Sequence, residues 1–251
     1  MSQSRHFTPY ELNQLHRFGL GHLSLSIDDQ TPVEYLTHHA EFYHRDFYVN
    51  QGVLIPRLDT EKIINLALEY LTNHYQPTTK LHLADLCTGS GCLGITLLLE
   101  LQKIGFTDLH LTLSDLSSAA LAVARLNLQK YHLSSEVTSL ESDLFDKYPH
   151  DSVFDIILSN PPYIPTARLN DLDSSVKDHE PHLALDGGSQ GTTIINHLLS
   201  SLTQHSQIPS LTLIEIDHEH KLTDFQIPTG FVPKIIPDDQ DQPRFLSLTR
   251  R

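Results

Sequence analysis

The chain has 251 residues, 39% of them hydrophobic, and carries 17 Lys plus Arg against 31 Asp plus Glu, a formal charge of −14 with its 17 histidines neutral. Such an excess of acid repels phosphate backbones, and no basic run offsets it, so direct nucleic-acid binding is not expected. No apolar run is long enough to cross a membrane, "MSQSRHFTPY" lacks a signal-peptide core, and Cys87 and Cys92 lie too close together to frame a disulfide network, which together point to a reduced, cytoplasmic setting.

In chain order, a helix is expected around Tyr10 to Phe18. "AEFYHRDFYVNQGVLIPR" then alternates as a β-hairpin should, with Asn50-Gln51-Gly52 at the turn. From Asp59 onward strands and helices alternate. Asp59 or Thr60 can cap a helix whose apolar face is Ile63, Ile64, Ala67, Leu68 and Leu71. "KLHLADL" reads as a strand, "LGITLLLELQKI" as a helix and "LHLTLSD" as a strand, after which Ser117 or Ser118 opens a helix through about Tyr131. "EVTSLESD" is a weak strand, "FDIILSN" a strong one, "TTIINHLLSSLT" a helix and "SLTLIEID" a further strand. "GFVPKIIP" and "RFLSLTR" are separated only by "DDQDQP", which allows a hairpin but no helical crossover. The fold class is therefore α/β: a mostly parallel sheet with an antiparallel end.

"LADLCTGSGCLGITLLL" sets Gly89, Gly91 and Gly94 between a strand and a helix, in the spacing Gly-x-Gly-x-x-Gly, and Asp115 ends the next strand. Glycines there let a cofactor approach the backbone, free N–H groups at the helix start favour an anionic group, and the acid can grip ribose hydroxyls. The loop alone fits a nicotinamide dinucleotide and S-adenosylmethionine equally well, and the glycines could also serve strand–helix packing only.

"FDIILSNPPYIPT" follows a buried strand with two prolines that cannot donate to a sheet ladder, leaving Asn160 and Tyr163 at a carboxyl end, the edge where open α/β sheets bind ligands. An amide or exocyclic amine nitrogen is a poor nucleophile because its lone pair is delocalised. An enzyme acting on one must align it and accept its N–H bonds. The Asn160 side-chain oxygen and the Pro161 carbonyl are candidate acceptors, and Tyr163 can stack on a planar group. The histidines show no His-Glu-x-x-His and no zinc spacing, and "DHEH" from Asp217 reads as a solvated turn, so no metal site is expected.

An antiparallel final strand and an Asn-Pro-Pro-Tyr after the fourth core strand resemble the class I S-adenosylmethionine-dependent methyltransferase fold more than a dehydrogenase. Across about Thr31 to Glu215 the chain is similar to the N(5)-glutamine methyltransferases of the HemK/PrmC type, which modify peptide chain release factors. The likeness lies in "TPVEYL", "EFYHRDFYV", "VLIPRLDTE", "DLCTGSG", "SDLSSAALAVARLN", "SDLF", "SNPPYI" and "EPHLALDGG". It implies S-adenosylmethionine as methyl donor and the glutamine of a Gly-Gly-Gln motif in a release factor as acceptor.

By position, Cys87, Thr88, Gly89, Ser90 and Gly91 then line the methionine end of the cofactor, Asp115 takes the ribose, and Asp143 and Leu144 lie by the adenine. Asn160 to Tyr163 hold the glutamine amide: Asn160 and Tyr163 as catalytic residues, Pro161 and Pro162 with them as substrate-binding ones, Asn160 also touching the cofactor. Residues 1–50 are expected to form a short helical segment and hairpin, shorter than the family's helical substrate-binding region, and 51–251 the methyltransferase domain, working as a monomer. Departures include Cys87 where the release-factor enzymes often have Gly, a form like the sister group acting on a large-subunit ribosomal protein, Leu58 for a usual Pro, and Asp217 for a usual Gly. A ribosomal-protein glutamine, a nucleobase amino group, or cofactor binding without turnover are the alternative functions.

Overall fold

A computed structural model describes residues 4–149, 151–204 and 208–251, so residues 1–3 of the expected N-terminal segment lie outside it. The chain opens with α1 (Pro9–Arg17), started by a reciprocal cap: Thr8 Oγ1 accepts from the Glu11 N–H and Glu11 accepts from the Thr8 N–H. A short α2 (Val33–Thr37) leads into the hairpin of β1 (His39–Phe42) and β2 (Arg45–Tyr48). Its turn is Tyr43-His44, at φ 51° and 58°, the two positive φ values that a tight two-residue hairpin requires. The turn therefore falls before Asn50-Gln51-Gly52, which instead makes a separate bend in which Asn50 Oδ1 accepts from the Gly52 N–H. The reason is tertiary: the Tyr43 N–H donates to the Glu61 carboxylate at 2.7 Å, which fixes where the chain reverses.

The α/β repeat follows as α3 (Glu61–His74), β3 (Leu81–Leu86), α4 (Cys92–Lys103), β4 (Leu109–Asp115), α5 (Ser118–Lys130), β5 (Val137–Glu141) and β6 (Ile156–Ser159). It is completed by α6 (Ser174–Lys177), α7 (Thr193–Ser201), β7 (Leu211–Glu215), β8 (Phe231–Pro237) and β9 (Pro243–Arg250). The strands form one seven-stranded sheet in the order β5-β4-β3-β6-β7-β9-β8, with β9 antiparallel to both neighbours and every other pairing parallel. Two short strands cannot be crossed over in parallel without a helix between them, so the C-terminal pair closes as a hairpin.

Both faces of the sheet are covered, which is why its strands read as unbroken apolar runs. The pleat sorts their side chains: Ile156 and Leu158 join the core under α3, α4 and α5, while Ile157 joins the one under α7. Phe42 and Phe47 of the hairpin are buried in the first of these cores. Chain direction across the sheet reverses between β3 and β6, and the crevice outside their carboxyl ends is the place such sheets keep for ligands.

Candidate active site

A cavity opens at that switch point. It is lined by Cys87 to Ser90 after β3, Asp115 at the end of β4, Asp143 and Leu144 after β5, and Asn160 and Pro162 after β6, closed by Arg57, Thr60, Leu183 and Asp186. Most of the expected site residues are thus in one place. Gly91, Pro161 and Tyr163 stand just behind the lining: Gly91 caps α4 at φ 82°, Pro161 is buried, and the Tyr163 hydroxyl is taken by Glu215 at 2.9 Å.

The glycine loop shows why its residues are small. Gly89 is left-handed at φ 53° with open space where a Cβ would stand, while a Cβ on Gly94 would lie 2.5 Å from Leu113 Cδ2 and 3.0 Å from Asp85 Cβ. One glycine keeps the cavity wall bare, and the other lets α4 press onto the sheet. Cys87 occupies the left-handed region too, at φ 56°, a conformation that costs about 1–2 kcal/mol for a residue with a Cβ and that a glycine would adopt freely. Burial raises both thiols, Cys92 to about 12, so neither is a thiolate nucleophile at neutral pH.

Asp115 shapes the loop as well as facing the cavity. Its Oδ2 accepts from the Gly89 N–H and its Oδ1 from the Ser117 N–H, both at 2.9 Å. Burial raises its pKa, and these two bonds oppose the rise. Each oxygen keeps further accepting capacity, which is what a pair of ribose hydroxyls needs. Ser117 serves as the cap of α5 through Oγ, accepting from the Ala120 N–H. A bare backbone loop, an accepting carboxylate one strand over and the partly apolar Asp143-Leu144 corner fit S-adenosylmethionine end to end.

Behind the loop, Asp85 is wholly buried. Oδ2 accepts from the Thr88 hydroxyl at 2.6 Å and the Gly94 N–H at 2.9 Å, Oδ1 has no hydrogen-bond partner among the described residues, and burial lifts its pKa to about 7. At the far end, Asn160 Nδ2 donates to Thr60 Oγ1 at 3.3 Å, and Thr60 donates to Glu215 Oε2 at 2.6 Å. Thr60 is the residue before α3, yet its side chain caps nothing. Its hydroxyl is engaged by the site instead.

The segment after Tyr163 folds back as a wall. The Ile164 N–H donates to the Leu185 carbonyl and the Ile164 carbonyl accepts from the Gly187 N–H, and a Cβ on Gly187 would stand 2.7 Å from Tyr163 Cα and 2.8 Å from the Pro162 carbonyl oxygen. The first glycine of "LDGG", Gly187, is therefore part of the surface on which Asn-Pro-Pro-Tyr rests. Arg57 ties this wall to the loop before α3, donating to the buried Glu180 at 2.6 Å.

A family model described as the methyltransferase small domain matches residues 60–188. A release factor glutamine methyltransferase of Bacillus anthracis is 38% identical over 186 residues, covering 74% of this chain and 63% of its own length. One from Leptospira interrogans is 42% identical over 61% of this chain and 51% of its own length, and one from Koribacter versatilis 35% identical over 85% and 72%. The chain belongs to the release factor glutamine methyltransferase family.

It thus spans 63% and 51% of the length of the first two relatives. Solved methyltransferases share the fold at low identity. The human methyltransferase 10 domain containing protein aligns with a TM-score of 0.53 at 12% identity, over 83% of this chain and 88% of its own. The ribosomal protein L11 methylase of Lactobacillus delbrueckii subsp. bulgaricus gives 0.50 at 16%, over 85% and 99%.

Of the two caps the sequence offers for α3, Asp59 or Thr60, the second holds the position without a side-chain cap bond, and Asp85, Glu215 and Glu180 are absent from the expected site residues. A signal for two of them was present: an acid inside "LHLADL" and another inside "LTLIEI" interrupt strands that are otherwise buried, and a buried carboxylate needs a reason. Glu180 and Arg57, distant in sequence, gave none.

Proposed function

We propose that this chain transfers a methyl group from S-adenosylmethionine to the side-chain amide nitrogen of a glutamine in a protein, the glutamine of the Gly-Gly-Gln motif of peptide chain release factors. One observation carries the reading: the Asn160 amide stands in the same cavity as the glycine loop and Asp115, with its nitrogen already bonded to Thr60. The names of the relatives supply the substrate.

When bound, the cofactor supplies an electrophilic methyl on a sulfonium. Cys87 to Gly91 hold its methionine end, Asp115 its ribose, and Asp143 with Leu144 its adenine. Asn160, at the join, meets both cofactor and substrate through Oδ1. The Pro161 carbonyl is the second acceptor for the glutamine N–H bonds, and Pro162 and Tyr163 frame the amide. Alignment of this kind is worth on the order of 7–11 kcal/mol in favourable cases. A methylated amide nitrogen sheds its extra proton to water, so no basic side chain is needed at the site.

Among the described residues no helix is long and apolar enough to cross a membrane. A cytoplasmic monomer, divided near residue 50 into an N-terminal segment and the methyltransferase domain 51–251, belongs to the same proposal, as does the lack of direct nucleic-acid binding.

The deciding experiment is intact-mass and peptide mass spectrometry of a release factor incubated with this protein and S-adenosylmethionine, beside a substrate whose motif glutamine is replaced by alanine. One methyl on the glutamine of the first substrate and none on the second is the expected result. An unmodified, folded release factor with cofactor demonstrably bound overturns the choice of substrate.

A further inference from the structure

The deep end of the cavity is organised by a carboxylate outside its lining. Glu215, the last residue of β7, is 1% exposed, and the register that pairs Ser159 with Ile214 carries Asn160 alongside it. Each of its oxygens is taken by one hydroxyl, Oε2 by Thr60 at 2.6 Å and Oε1 by Tyr163 at 2.9 Å. Both ends of Asn-Pro-Pro-Tyr therefore hang on one buried group: Tyr163 directly, Asn160 through Thr60.

The bond order along this chain has a consequence for Asn160. Thr60 has a single hydroxyl proton, and Glu215 takes it. What Thr60 offers Asn160 is a lone pair, so the Asn160 atom 3.3 Å away is the donating nitrogen, Nδ2. Fixing nitrogen on one side of the amide leaves oxygen on the other. With the opposite arrangement Asn160 would present N–H groups, and two donors would face each other when a substrate NH₂ arrived.

We propose that Glu215, acting through Thr60, is a positioning residue that sets the amide orientation of Asn160 so that an acceptor meets the substrate nitrogen. The inference rests on the glutamine-methylation reading, because only an N–H-bearing acceptor needs oxygen at that point. It also gives a reason for a buried carboxylate at the end of a wholly buried strand, where burial is costly. Burial raises the pKa of Glu215, and its bonds to Thr60 and Tyr163 and the nearby Arg244 oppose that rise. A Gln there could keep its oxygen toward Thr60 and donate to Tyr163 instead, whereas a side chain with no acceptor frees the Thr60 proton to turn toward Asn160 and reverse the amide.

The test compares Thr60→Val, Thr60→Ser and Glu215→Leu with the parent, using single-turnover methyl transfer, cofactor Kd by calorimetry, and the side-chain N–H resonances of Asn160 in ¹⁵N spectra. Thr60→Val keeps the shape and loses the acceptor, and is expected to lower kcat by about 10- to 100-fold while cofactor Kd stays within about threefold. Thr60→Ser restores the hydroxyl and most of the rate. Glu215→Leu, which has no acceptor, should group with Thr60→Val, and the Asn160 resonances should move in those two variants and hold in the serine one. Should Glu215→Leu fail to fold, the Thr60 pair still decides. Parent-like kcat in Thr60→Val, or Asn160 resonances unmoved by it, overturns the relay. A parent protein that methylates no glutamine defeats the functional reading instead, and the resonances then judge the orientation on their own.

Discussion

Asp85 shows how much one side chain can set. Its carboxyl is buried with one oxygen unpartnered and titrates near 7, so the folded protein holds it protonated where the unfolded chain would have ionised it. Between about pH 4 and 7 the native state then binds the extra proton, and this group's effect is that stability falls as pH rises, by on the order of a few kcal/mol across the window. Replacing it as Asp85→Asn should flatten that dependence, read as urea midpoints from pH 4 to 8 in both proteins. Asn160 and Asp115 separate chemistry from binding. Asn160→Ala is expected to remove methyl transfer while leaving cofactor binding largely in place. Asp115→Ala takes away a charged acceptor and the anchor of Gly89, and should weaken cofactor binding by about 10- to 100-fold in calorimetry. A variant Asn160→Ala with parental turnover would refute the amide-holding mechanism.

At the scale of elements, the strands and helices of the α/β repeat were legible because their periods are local. The helix start expected at Ser117 or Ser118 is capped by Ser117, and the buried strand expected over Ile156 to Leu158 is β6, whose alternate side chains enter two cores. The hairpin turn was misplaced because the alternation runs unbroken through "YHRDFYV", and only the Tyr43–Glu61 bond decides where it reverses. Thr60, offered with Asp59 as a cap, stands at the cap position without a cap bond for the matching reason: the strand that claims its hydroxyl is distant in sequence. Gly187 belongs here too. Its Cβ would enter the space of Pro162 and Tyr163, so Gly187→Ala should displace Asn-Pro-Pro-Tyr and lower kcat by about 100-fold, with cofactor affinity kept. Equal loss of cofactor binding would show that the whole cavity had collapsed.

For the whole molecule, the acid excess and the cavity make separate statements. With a formal charge of −14, association with DNA or RNA is expected to be negligible at about 0.15 M salt, measurable by fluorescence anisotropy against unlabelled duplex and single strand. Cofactor binding to the native state alone should stabilise it by about 2.7 kcal/mol at 100 times Kd, a rise in Tm of roughly 5–10 °C. A dinucleotide such as NADH should leave Tm unmoved. A shift with NADH and none with S-adenosylmethionine would reverse the reading of the glycine loop.

The sequence by itself determined the order of elements, the glycine loop, the acid one strand later and the Asn-Pro-Pro-Tyr that ends β6, because turn chemistry and hydrophobic period act over a few residues. The tertiary structure decided what those residues are joined to. Arg57 meets Glu180, Thr60 meets Glu215, and the Gly187 backbone lies against Tyr163, each across a gap in sequence that only the folded chain closes. Pairing of buried polar groups is a property of the packed interior, where each donor and acceptor must find a partner or bear the cost of desolvation, and no local pattern states which partner that is.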